Sequence, residues 1–140
     1  MGAPVPAFVL VVIFLGLAAL HVFWAFSSRA GLQGFVPTEN GAPVFLPGRA
    51  ASLAVATLLA IAAGISLWRG AWPDAGASWI PRIGIVFIAV VFAARAVGDF
   101  RLVGFFKRVR GTPFARNDSL VFSPLCATIS ALALWLALAY

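Results

Sequence analysis

The sequence predicts an all-α protein, an integral membrane bundle of four transmembrane helices with a basic amphipathic interfacial segment after the third helix. Three observations carry this expectation. Hydrophobic residues make up 63% of the 140-residue chain and charged residues 10%, with a mean hydropathy of +1.04, so a soluble fold would lack the polar surface to cover its own core. Four apolar windows follow one another, each of a length suited to a hydrocarbon core of about 30 Å at about 1.5 Å per residue. None alternates in polarity as a barrel strand does, which leaves helices as the way to satisfy a backbone in lipid.

The windows run over 7–26, 50–68, 83–98 and 120–140, and within them Arg95 is the one Asp, Glu, Lys or Arg. The first reads as a retained helix rather than a cleaved signal peptide: no Lys or Arg precedes it, and Trp24 and Phe26 crowd the small residues Ser28 and Ala30. The connections are those of a single domain spanning 1–140. Ser27 to Arg49 is rich in Gly and Pro with Asn40-Gly41 at its centre, Gly70 to Pro81 contains Pro73 and Asp74, and Asn117, Asp118 and Ser119 supply N-caps for the last helix. Ala56, Ala60 and Gly64 form a small-residue stripe assigned to packing within the bundle. Pro124 removes a helix hydrogen bond early in the fourth helix.

The basic residues set an expected orientation. The first and third connections share a side and hold Arg29, Arg49, Arg101, Lys107, Arg108, Arg110 and Arg116, whereas the other side holds Arg69 and Arg82. Lys and Arg stay cytoplasmic, so both termini are predicted outside. Trp68, Trp72, Trp79 and Trp135 then share the outer interface, where amphipathic rings settle.

On that topology His21, Arg95, Asp99, Ser123 and Pro124 gather at one depth near the inner leaflet. Arg95 and Asp99, four residues apart, share a helix face and are expected to pair. Together with Trp24 they make a candidate ligand site of His21, Trp24, Arg95, Asp99 and Ser123. The alternative is that Arg95 snorkels to the headgroups beside Asp99 and that His21 is a hydrogen-bonded interfacial residue.

Beyond Asp99 the helical period continues on paper. Leu102, Phe105, Phe106 and Val109 form one stripe with Arg101 and Arg108 opposite, the pattern of a segment lying in the headgroup plane. Arg101, Lys107, Arg108, Arg110 and Arg116 are therefore candidate contacts to anionic lipid headgroups. The basic run emerges directly from a membrane helix, so lipid phosphate is favoured over nucleic acid. One Cys and one His exclude an intrachain disulfide and a Cys or His metal cluster, and no nucleotide or nucleophile motif is present. No metal and no cofactor is expected.

The stretches HVFWA, VPTENGAPVFLPGRAASLAVA, RAVGDFRLVGFFKRV and FARNDSLVFSPLC resemble the family catalogued as domain of unknown function thirty-nine ninety-five, from about His21 to Cys126. The resemblance implies a small four-helix protein of the bacterial cytoplasmic (inner) membrane and brings no activity. It marks His21, Trp24, Pro37, Gly41, Pro47, Arg95, Asp99, Arg101, Gly104, Phe114, Arg116, Asp118, Ser123 and Pro124 as positions of interest. Three classes of function stay open. One is binding of a lipid, small amphiphile or partner helix, the last including a second copy of the chain. Another is a small membrane enzyme with His21 as acid or base, Asp99 orienting it and Arg95 holding an anion. The third is an oligomeric transporter or channel.

Overall fold

Helix α1 (Pro4–Phe26), α2 (Arg49–Ala71), α3 (Trp79–Val97) and α4 (Pro113–Leu138) are each long and apolar enough to cross a membrane. The computed structural model describes residues 4–27, 32, 34–72 and 79–139. Ser28, Arg29 and Ala30, Pro73 and Asp74, and Tyr140 lie outside the described residues.

The helices begin earlier than expected, most of all α3 and α4, where proline fits a first turn in which no N–H is needed. Pro81 lies in the first turn of α3 rather than in the preceding connection. Pro113 opens α4 behind Thr112, whose hydroxyl accepts the Ala115 N–H at 3.0 Å. Asn117, Asp118 and Ser119 are thus inside the helix and not its caps. The α4 helix is interrupted by a π-helical turn, Asp118–Phe122, in which the Ser123 N–H reaches back to the Asp118 carbonyl. Pro124 follows at once, and the widened turn makes room for a ring that crowds the carbonyl one turn back.

The helices pack chiefly as α1 on α2 and α3 on α4. Leu10 and Phe14 of α1, Ile85 of α3, and Ile129, Ala133 and Leu136 of α4 are fully buried at the centre. The rings of Phe14 and Phe92 meet at 5.6 Å, and Ser130 Oγ donates to the Ala89 carbonyl at 2.7 Å, tying α4 to α3. The outer surface carries exposed Phe8, Phe23, Leu58, Phe87 and Leu134, as a lipid-facing surface does. Of the small-residue stripe of α2, Ala56 alone serves this core. The helix's buried face runs through Ser52, Ala56, Leu59, Ala63 and Ser66, so a strict four-residue step drifts off it; Ala60 and Gly64 are exposed.

Between α1 and α2 the chain makes a small hairpin, β1 (Thr38–Glu39) against β2 (Ala42–Pro43), antiparallel with Thr38 opposite Pro43. Asn40 and Gly41, both at positive φ, turn it as an Asn-Gly pair does.

The segment between α3 and α4 is basic and amphipathic, yet it is not a continuing helix. Gly98, Phe100, Gly104 and Gly111 all have positive φ, which no right-handed helix tolerates. The turns replace the expected stripe with another division: Leu102 and Lys107 are buried, while Phe100, Phe105 and Phe106 are exposed beside Arg101, Arg108 and Arg110.

Candidate functional site

At the end of α3 the backbone crosses itself. Gly98 and Gly104, at φ 90° and 88°, touch main chain to main chain. A Cβ on Gly98 would strike the Val103 carbonyl, and one on Gly104 the Val97 carbonyl. The crossing is closed by the Phe105 N–H on the Ala96 carbonyl at 2.9 Å. Inside it Asp99 Oδ1 accepts the N–H groups of Arg101, Leu102 and Val103 at 2.9, 2.8 and 3.1 Å. Burial alone would raise the Asp99 carboxyl; these N–H groups outweigh it and hold the group below the usual carboxylate range.

The crossing delivers two donors to a carboxylate on α4. Asp118, fully buried, accepts Arg95 Nη2 on Oδ1 at 2.8 Å. Its Oδ2 accepts the Gly104 N–H at 2.8 Å, Lys107 Nζ at 3.1 Å and Ser123 Oγ at 3.1 Å. Lys107 Nζ also donates to the Gly104 carbonyl at 3.0 Å and to Ser119 Oγ at 2.6 Å. A buried charge is held when paired and hydrogen-bonded, as the Asp118 carboxylate is on both oxygens, although Arg95 Nη1 is buried without a hydrogen bond among the described residues; the π turn and the glycine crossing bring these groups together. Two cations on one carboxylate leave the cluster with a net positive charge.

Polar contacts from residues flanking this cluster reach the connection between α1 and α2. Arg101 donates to Glu39, which raises the guanidinium pKa further, and Asn117 Nδ2 donates to the Gly34 carbonyl at 3.1 Å.

Beside it lies a cavity of about 310 Å³ walled by α1, the first connection and the start of α2. His21, Trp24, Leu32, Phe35, Val36, Phe45, Pro47, Ala51, Ser52 and Val55 line it, with no charged residue among them. His21 Nδ1 lies 2.8 Å from the Leu17 carbonyl, and the ring stands edge-on to Trp24 at 4.9 Å. Trp24 meets Phe35 at 4.9 Å, Phe35 meets Phe122 at 5.9 Å and Phe122 meets Phe114 at 5.9 Å, an aromatic row from the cavity to the π turn. Arg49 Nε donates to the Ala25 carbonyl at 3.2 Å and its guanidinium stacks 5.1 Å over Phe26, a cation placed on the C-terminal end of α1.

The five candidate ligand residues therefore separate into three places. His21 and Trp24 line the cavity; Arg95 and Ser123 meet through Asp118; Asp99 holds the turn. The expected Arg95–Asp99 pair is replaced by Arg95–Asp118, because α3 ends at Val97 and Asp99 has left the helix face. Asp99 does not orient His21, whose hydrogen bond goes to its own helix. Among the candidate headgroup contacts, Arg101, Arg108, Arg110 and Arg116 are exposed, whereas Lys107 is buried on Asp118. Periodicity could not find Asp118 as the hub, since its partners come from 23 and 11 residues away. The family resemblance did mark it, with Gly104. Nothing local in the sequence marks Phe35, Phe45 or Ser52.

These features define a class: a multi-pass membrane protein of four spans with a buried ion cluster at one end and an aromatic-walled cavity beside it. Residues 14–133 match the family described as Protein of unknown function (DUF3995), and the chain belongs to that family. No curated protein and no solved structure matches it.

Proposed function

We propose that this protein binds an amphiphile at the end of the bundle built by the first and third connections, and that this end faces the cytoplasm of a bacterial inner membrane. The observation that carries the reading is the cavity at His21 and Trp24: about 310 Å³, predominantly apolar, with two polar side chains, the composition of a small-ligand site. The Asp118 cluster supports a frame rather than a ligand contact, since its hydrogen bonds fix the third connection against α4. The exposed Phe100, Phe105 and Phe106 with Arg101, Arg108 and Arg110 suit rings inserted at the interface and guanidinium groups on anionic headgroups. Exposed arginines at this end and exposed Trp68, Trp72, Trp79 and Trp135 towards the other support the orientation.

The test uses protein purified in nanodiscs of phosphatidylethanolamine and phosphatidylglycerol and released for native mass spectrometry. The wild-type chain is expected to retain an amphiphile. Ala51→Phe and Val55→Trp, which fill the cavity from exposed positions, are expected to lose it at unchanged melting temperature. Retention unaltered in both variants overturns the reading, as does a wild-type chain that retains nothing.

A further inference from the structure

We infer that the cavity takes an amphiphile with an uncharged hydroxyl head, held between His21 and Ser52; this rests on the amphiphile-binding reading above and specifies its ligand. A carbonyl oxygen only accepts, so the 2.8 Å contact from His21 Nδ1 to the Leu17 carbonyl puts the ring proton on Nδ1. In a neutral imidazole Nε2 is then an acceptor, and no described residue donates to it. The ligand atom that meets it must carry a hydrogen.

Ser52 supplies the complementary half. It is 5% exposed and lines the same cavity, yet its hydroxyl makes no hydrogen bond to any described residue. The contrast with other helical hydroxyls is informative: Thr57 and Ser66 on the same helix, and Thr128 on α4, each satisfy their hydroxyl on the carbonyl four residues back. A hydroxyl on the cavity wall with no partner among the described residues is a donor free to meet a ligand oxygen.

Charge excludes the other common heads. A carboxylate or phosphate would bring an acceptor to an acceptor and find no cation among the described residues of the wall; Arg49, close by along the chain, is engaged by the Ala25 carbonyl and the Phe26 ring. An ammonium would find no carboxylate. An alcohol donates to Nε2 and accepts from Ser52 Oγ, with its chain against Trp24, Phe35 and Phe45. The volume suits the head and first part of the chain, the remainder lying in the bilayer.

The test compares four probes of one chain length on the full protein in nanodiscs: hexadecanol, its methyl ether, hexadecanoate and hexadecyltrimethylammonium, with occupancy read by native mass spectrometry. Hexadecanol is expected to bind about ten-fold more tightly than the ether, as loss of one buried hydrogen bond implies, and more tightly than either ion. His21→Leu is expected to abolish the preference for alcohol over ether while leaving ether affinity unchanged. Should that variant fail to fold, the wild-type series decides alone. Equal binding of all four heads, or a preference for an ion, overturns the hydroxyl head but leaves the amphiphile site standing. Failure of every probe to bind, or binding of all of them unaffected by Val55→Trp, overturns the site itself.

Discussion

Arg95 of α3 and Asp118 of α4 meet at 2.8 Å, 23 residues apart in sequence, and the contact locks the two helices at the depth where the third connection begins. Lys107 reaches the other oxygen of the same carboxylate from within that connection. A helix pair and the loop that joins it thus share one buried acid.

The roles of the two aspartates are accordingly unequal. Asp118→Asn leaves Arg95 and Lys107 facing a neutral amide and is expected to destabilise the protein by about 3–5 kcal/mol. Asp99→Asn keeps an oxygen able to accept the three turn N–H groups, and a loss of less than about 1 kcal/mol is expected. Unfolding in mixed detergent micelles measures both, and equal losses would contradict the assignment.

The glycine crossing gives a second contrast. Gly104→Ala requires a left-handed alanine and a clash with the Val97 carbonyl, so its loss should clearly exceed the roughly 1–2 kcal/mol of an unhindered left-handed residue. Gly111, also at positive φ but with open space around its Cβ, supplies that reference. Thermal melts of Gly104→Ala and Gly111→Ala should therefore separate widely, and coincident melts would mean that the crossing does not hold the loop.

The four helices were legible because hydropathy over a span is a local sum, and their bounds moved most at the starts of α3 and α4. The motif around Asp99 was legible as something special but misassigned. Spacing of four residues pairs Arg95 with Asp99 on a helix, and nothing in spacing announces that Gly98 ends it. The basic segment misled in the same way, since a wheel drawn over Leu102 to Val109 is blind to positive φ at Phe100 and Gly104. His21 and Trp24 were found because they are a polar and an aromatic residue in an apolar run. Their partners Phe35, Phe45 and Ser52 come from the connection and from α2, where only tertiary contact gives them meaning.

Lys107 and its basic neighbours should behave differently. Arg108→Gln and Arg110→Gln are expected to weaken the preference for phosphatidylglycerol over phosphatidylethanolamine among the lipids retained from nanodiscs by about 1 kcal/mol each without changing the melt. Lys107→Gln is expected to lower the melt, because it removes a buried partner of Asp118. A Lys107 variant as stable as the arginine variants would return that residue to the surface.

Orientation is open to direct labelling in a Cys126→Ser background. Cysteines at Val44 and Arg110 are expected to be shielded from an impermeant maleimide in intact cells, and one at Ala75 to react. The opposite pattern would turn the cavity to the outer leaflet.

The most direct measurement of amphiphile binding places a benzophenone amino acid at Phe45, on the cavity wall, and another at Ile83, on the exposed face of α3. Cells are irradiated and the adducts identified by mass. The cavity predicts that Phe45 captures a discrete amphiphile that Val55→Trp removes, whereas Ile83 captures bulk phospholipid. Adducts at Phe45 that match those at Ile83 in kind and proportion, or that persist in Val55→Trp, would contradict a binding site at His21 and Trp24.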